Sequence, residues 1–216
     1  LKPEKILSGE QPRLIDEWQL APVLWDSIRY NVDHADNPGC YILTGSSVPA
    51  DDSEMQHSGT GRFSWLKMRP MTLWESRESS GEASLSALFN GHDITGAKSA
   101  CSDLDEIAFL LCRGGWPYAC ELNGRTALRR AFAYLDAIVK RDISRVDGVN
   151  RDEGRARRLM RSYARLQATQ SATSVIKADL EANEALPISI DTVSSYITAL
   201  KRLFVIEDLP AWCPNL

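Results

Sequence analysis

Among the 216 residues, no apolar run approaches the roughly 18 to 20 residues that a membrane span requires; the longest are stretches such as Ile107 to Cys112. A transmembrane protein is therefore excluded, and no membrane partner is expected. Histidine is scarce: His34, His57 and His92 lie far apart, none has a second ligand at helical spacing, and no Cys-x-x-Cys occurs. A zinc site finds no support in that pattern. The five cysteines (Cys40, Cys101, Cys112, Cys120, Cys213) are odd in number, scattered and mostly in apolar surroundings, unlike a disulfide framework. They read as reduced thiols, which makes the cytoplasm the expected compartment. No charged and apolar leader with a small-residue cleavage site follows Leu1, which is itself not methionine. The expectation is a fragment with residues upstream.

What is present is ordinary globular material, 44% hydrophobic and 25% charged, enough to build a real core. The net charge of -4 hides an asymmetry, because Arg125 to Arg165 holds 12 Lys/Arg against 5 Asp/Glu, a local +7 that leaves -11 for the remainder. Such a segment can face phosphates, an acidic partner or the protein's own acids. Solvated helix faces with internal ion pairs are at least as good an account.

From Arg13 to Ile15 a short apolar strand runs into Asp16-Glu17, and Leu20 to Ala35 then reads as a helix with Pro22 near its first turn and Leu24, Trp25, Ile28 and Val32 on one stripe. Cys40 to Leu43 is a second strand, ending in Thr44-Gly45-Ser46-Ser47. Strand, helix, strand predicts a parallel sheet, with ligands outside the carboxyl ends of the strands where Asp16, Glu17 and Thr44 fall. Arg62 to Met68 is a third strand candidate. The Ser, Gly and charge-rich stretch from Ser76 to Ser102 contains the expected boundary, giving residues 1–80, a linker 81–102 and a helical domain 103–216.

In that second half Leu104, Ile107, Ala108 and Leu111 form one helical stripe, Leu128, Phe132, Leu135, Ile138 and Val139 another, and Leu159, Met160, Tyr163, Ala164 and Leu166 a third. Arg113-Gly114-Gly115-Trp116-Pro117 breaks the chain between the first two. Ser174 to Ala182 reads as a short helix, Pro187 ends it, and Asp191 can cap a helix carrying Val193, Tyr196, Ile197 and Leu200, with a strand at Leu203 to Ile206 after it. Helix, turn, helix, strand is a winged-helix outline, used for DNA or for protein partners. The second helix is nearly free of base-reading Arg, Asn and Gln, so nucleic acid is the lesser of the two readings. The fold class is thus α/β followed by mainly α.

The chemistry concentrates in Arg13-Leu14-Ile15-Asp16-Glu17-Trp18-Gln19. A strand ending in two acids sets one carboxylate to hold a Mg²⁺ bridging nucleotide phosphates and the other to polarise water for attack on the terminal phosphoryl group. The plain alternative is a pair of acids starting a helix. Thr44 and Ser46 end the next strand with hydroxyls able to orient the water or sense the phosphate, and Arg62, in Ser58-Gly59-Thr60-Gly61-Arg62, offers a cation for transition-state charge. Otherwise the glycines make a turn and Arg62 a surface ion pair.

The succession Leu14 to Gln19, Ile42 to Ser46, Gly61-Arg62-Phe63, Met68 to Glu75, Arg113 to Pro117 and Leu203 to Trp212 resembles the prokaryotic, bacterial-type AAA ATPases with a C-terminal helical, winged-helix-like domain of uncharacterised role. The resemblance implies an ATP-binding and ATP-hydrolysing protein with ATP and Mg²⁺ as cofactors. It makes Asp16 and Glu17 the Walker B acids, Asp16 the metal-holding one; Thr44 or Ser46 takes the sensor position and Arg62 that of an arginine finger or sensor. It also implies a homo-oligomer. The family's Gly-x-x-x-x-Gly-Lys-Ser/Thr phosphate loop is missing here and would precede Leu1, so the chain alone is expected to be inactive. Gly91-His92-Asp93-Ile94-Thr95-Gly96-Ala97-Lys98-Ser99 is one residue away from that motif but follows the acids instead of preceding them, and reads as coincidence. The competing readings are a DNA-binding or protein-interaction regulatory module on a degenerate ATPase, and a scaffold without catalysis.

Overall fold

The computed structural model describes residues 2–35, 37–47, 59–95 and 103–210. His57, Ser58 of the glycine loop, residues 96–99 of the second glycine string, Cys101, Trp212 and Cys213 lie outside them. Two compact units divide the chain, one made of Leu1–Ser64 with Ile138–Leu216, the other of Trp65–Ala137.

The first unit opens with α1 (Pro3–Leu7), whose proline supplies a preset φ for the first turn. Strand β1 (Arg13–Ile15), helix α2 (Leu24–Asp33) and strand β2 (Tyr41–Leu43) follow, and β1 pairs with β2 in parallel, Arg13 opposite Tyr41, Leu14 opposite Ile42 and Ile15 opposite Leu43. The expected strand, helix, strand unit is there. Its core is Leu7, Ile15, Trp18, Leu24, Trp25 and Ile28, side chains whose burial stabilises by about 1.5–3 kcal/mol each. Leu14 and Ile42, register partners, share the face of the sheet left to solvent.

Two boundaries differ from the sequence expectation. The helix begins at Leu24 instead of Leu20, and Trp18–Leu20 is a separate 3-10 turn, because Ala21 precedes Pro22 and leaves the helical region at φ -140° and ψ 66°. Arg62 to Met68 is not a strand. Gly59 to Phe63 forms a turn, with the Arg62 and Phe63 amides donating to the Gly59 carbonyl, and Phe63 stacks on Trp25 at 4.0 Å between ring centroids. The aromatic contact takes the residue that would have started the strand.

The second unit contains α3 (Leu85–Phe89), α4 (Leu104–Arg113), α5 (Pro117–Cys120) and α6 (Gly124–Ala137), with α4 and α5 both packed on α6. Ser84 and Asp103 cap α3 and α4 by accepting from the backbone three residues on. The break at Arg113-Gly114-Gly115 has a structural use: a Cβ on Gly115 would strike the Met71 backbone, whose amide donates to the Gly115 carbonyl at 2.7 Å. Beside it the buried Arg113 pairs with Glu78, which holds the Glu78 carboxyl below its ordinary range. The expected α4 stripe is reversed. Leu110 and Arg113 are the buried residues, whereas Leu104, Ile107 and Leu111 face solvent.

The first unit resumes with a π-helical turn, Ile138–Asp142, then α7 (Ile143–Arg145), α8 (Glu153–Arg165), α9 (Thr173–Asn183) and α10 (Ile190–Arg202). Ile143, Leu159, Leu180, Val193 and Leu200 are fully enclosed where α7, α8 and α9 meet α10. The cap of α10 is Ser189, whose Oγ accepts from the Thr192 amide at 3.2 Å, not Asp191, which lies in the first turn. No strand follows. Leu203, Phe204 (φ 56°) and Val205 close the helix by donating to the carbonyls of Ala199, Lys201 and Leu200, so their amides are spent before a wing could pair. Among the described residues no helix is long and apolar enough to cross a membrane.

Candidate functional site

In a parallel unit the strand carboxyl ends are where loops converge, and β1 and β2 deliver four of the sequence-predicted residues there. The ladder runs past the strands: the Thr44 amide donates to the Ile15 carbonyl at 3.0 Å and the Trp18 amide to the Thr44 carbonyl at 3.2 Å. That fixes Asp16 and Glu17 against Thr44 to Ser46. Thr44 Oγ1 donates to Asp16 Oδ1 at 2.5 Å, and the same oxygen accepts the Glu17 amide at 3.0 Å. Ser46 Oγ donates to Glu17 Oε2 at 3.0 Å.

Glu17 sits in the left-handed region, φ 51° and ψ 40°, a conformation that costs a non-glycine residue about 1 kcal/mol or more. The turn sends its side chain toward the second strand's end. One residue here escaped the sequence reading. The Gln19 amide nitrogen donates to Glu17 Oε2 and reaches Ser46 Oγ at 3.5 Å, while its buried Oε1 has no partner among the described residues. A Cβ at position 45 would collide with that Oε1, so Gly45 makes room for the glutamine. The signal was its place two residues past Glu17, where the one-residue turn brings it back to the carboxylate.

Asp16 Oδ2 and Glu17 Oε1 take no hydrogen bond from the described residues, so each acid keeps one oxygen available while the other is held. An exposed carboxylate beside a hydroxyl is a hard oxygen donor set, which suits Mg²⁺; that ion is commonly held by one or two carboxylates together with substrate phosphates.

Arg62 is elsewhere. Its Nε donates to Asp33 Oδ1 at 2.8 Å and its Nη1 to the Thr60 carbonyl at 3.2 Å. That guanidinium, ahead of Arg29, holds the Asp33 carboxyl below its usual range. Asp33 ends α2, which runs back against the strands, and at 1.5 Å per residue this helix is about 15 Å long. Arg62 is therefore tied to the last residue of α2 and bonds neither acid among the described residues.

Four arginines of the basic segment, Arg151, Arg157, Arg161 and Arg165, are ion-paired within the chain. Arg151, its side chain only 3% exposed, forks onto Asp147 at 2.7 and 2.8 Å and reaches Ser195 on α10. Arg161 and Arg165 on α8 clamp α9 and the residue after it: Arg165 meets Asp179 at 2.6 Å and Glu184 at 2.9 Å, and Arg161 meets Glu184 at 2.6 Å. Those bonds, from Arg165 for Asp179 and from Arg161 for Glu184, pull both carboxyls down to about 2. A polar groove of about 750 Å³ opens between the starts of α8 and α10, lined by Arg151, Asp152, Arg155, Asp191 and Tyr196 among others.

Residues 104–216 match the family described as a domain of unknown function (DUF8612), and since this spans more than half of the chain, the chain belongs to that family. Residues 2–76, which contain the acid cluster, match an AAA domain, which marks an AAA-like, nucleotide-binding class of region at the coarse level. No curated protein and no solved structure matches the chain.

Proposed function

We propose that residues 1–80 supply the acid half of an ATP-hydrolysing site, to which the helices of 103–216 are attached. The observation that carries this reading is the convergence of Asp16, Glu17, Thr44 and Ser46 at the carboxyl ends of two adjacent parallel strands, inside the AAA-like region. Mg²⁺, when bound, would neutralise charge on the β- and γ-phosphates. Asp16 would hold it through Oδ2, with Thr44 fixing the carboxylate plane by bonding Oδ1. Glu17 would take the proton of the attacking water at Oε1, while Ser46 and Gln19 hold Oε2 and so set the direction of the free oxygen. Thr44 and Ser46, beside the acids, would also sense the terminal phosphate. Because Asp33 ties Arg62 to the last residue of α2, the arginine finger role is assigned to a neighbouring subunit's site, which requires a homo-oligomer.

The test is Glu17→Gln and Asp16→Ala in the full-length protein. The first should keep Mg-ATP binding and abolish phosphate release; the second should weaken binding as well. Unchanged phosphate release in Glu17→Gln would reduce the pair to a strand-end cap.

A protein-interaction role for the helices of 103–216 is the second reading. It is favoured by the turn at Leu203 to Val205 in place of a wing strand, and by the internal pairing of Arg161 and Arg165, both of which weigh against DNA.

A further inference from the structure

Helix α4 carries an apolar stripe on the side opposite the one it buries. Leu110 and Arg113 are buried inward; on the outer side Leu104, Ile107, Ala108 and Leu111, at i, i+3, i+4 and i+7, are exposed, Leu104 to 82% and Leu111 to 78%. A contiguous exposed apolar stripe on a helix marks an interaction site. This stripe is headed by acids, since Asp103 and Asp105 open the helix and Asp105 has no partner among the described residues. The helix packed beside it carries the complement. On α6, Arg125, Arg129 and Phe132 recur at i, i+4 and i+7, Phe132 is 70% exposed, and neither arginine has a partner among the described residues.

We propose that α4 and α6 form a homodimer interface in which α4 of one copy lies on α6 of a second copy, and the reverse by two-fold symmetry. Leu104, Ile107 and Leu111 then cover Phe132 of the other copy, and Asp105 faces Arg129. A self-complementary patch of this kind is what an isologous interface requires. The occupant is a second copy because the apolar stripe with its acidic head and the basic stripe with its exposed ring are carried by one chain. The proposal stands apart from the nucleotide reading, because none of these residues belongs to the acid cluster.

Sedimentation velocity of the whole chain over a concentration series is the test. The chain should be dimeric, and Leu104→Asp and Leu111→Asp should each raise the dissociation constant at least about tenfold, with Leu111→Asn as a milder variant checked for retained helicity by circular dichroism. Asp105→Arg and Arg129→Glu should each weaken self-association through like-charge contacts. Mixed together, the two variants should form heterodimers in preference to either homodimer, since each mixed interface sets the two introduced charges, of opposite sign, against each other on one side and restores the native pair on the other. A chain that stays monomeric, a dimer indifferent to the leucine substitutions, or a mixture without heterodimer preference would overturn the proposal.

Discussion

The AAA-like region and the α8 to α10 region spend their polar groups in opposite ways. Around Asp16 and Glu17 the hydrogen bonds hold one oxygen of each carboxylate and leave the other unengaged, and the backbone at Glu17 is held left-handed. In and around α8 to α10 several charges are paired off: Arg151 is enclosed with Asp147 and Ser195, and Arg165 meets two carboxylates at once. The cores differ likewise. Three-residue strands cover little and expose Leu14 and Ile42, whereas Leu159, Leu180, Val193 and Leu200 are completely enclosed. Groups held half-free and strained suit chemistry, and groups fully spent suit stability.

The largest expected effect tests that contrast at the acids. Glu17→Gln in the full-length protein should lower ATP turnover by about 10²- to 10⁴-fold at saturating ATP, the usual contribution of a positioned base, while nucleotide binding stays within a few-fold of wild type. Calorimetry with Mg-ATP and single-turnover phosphate release separate the two. Denaturant midpoints should scarcely move, because the exposed carboxylate contributes little to the core.

Next in size, Leu159→Ala should cost about 2–5 kcal/mol of unfolding free energy in urea, the range for a fully enclosed leucine. Leu14→Ala, on the open face of the sheet, should change it by no more than about 0.5 kcal/mol. Equal losses at the two positions would mean that the sheet face is covered in solution.

Both regions were disclosed in part by the sequence. The strand-end acids were legible because a short apolar run followed by Asp16-Glu17 is a local signal, and so was the α10 core of Val193, Tyr196, Ile197 and Leu200, which keeps helical spacing along the helix. The α4 stripe was read backwards, since an apolar stripe gives a period without saying which side packs; Arg113 finds Glu78 from 35 residues away, a contact no local pattern encodes. The strand expected at Arg62 to Met68 lost Phe63 to Trp25, and the one expected at Leu203 to Ile206 lost its amides to the end of α10. Gln19 was in plain view in the acid string, and only the left-handed turn at Glu17 reveals that it folds back.

A smaller effect is expected from Ser46→Ala. Glu17 Oε2 keeps Gln19 and loses one donor, worth about 0.5–1.5 kcal/mol, so turnover should fall about two- to tenfold with binding unchanged. A loss as large as that of Glu17→Gln would assign Ser46 a direct role on the phosphate instead of a hold on the base.

The finest distinction is the acid sensitivity of the α8 to α9 clamp. Asp179 and Glu184 have folded values near 2, against ordinary values of 3.8 and 4.5, chiefly because Arg165 and Arg161 bond the charged forms. Folded values below unfolded ones mean that the clamp's stabilisation is complete above the unfolded values and is lost as pH falls from about 4.5 towards 2. Since these pairs are at the surface, salt should screen them. Amide-exchange protection of α8 and α9, taken relative to intrinsic exchange at each pH, should therefore fall over that window in wild type, and more steeply at low salt, whereas Asp179→Asn with Glu184→Gln should show a flatter pH dependence and little response to salt. Parallel curves for wild type and variant would show that the arginines only neutralise the acids without holding the helices together. The contrast between spent and unspent charge would then rest on the enclosed Arg151 alone.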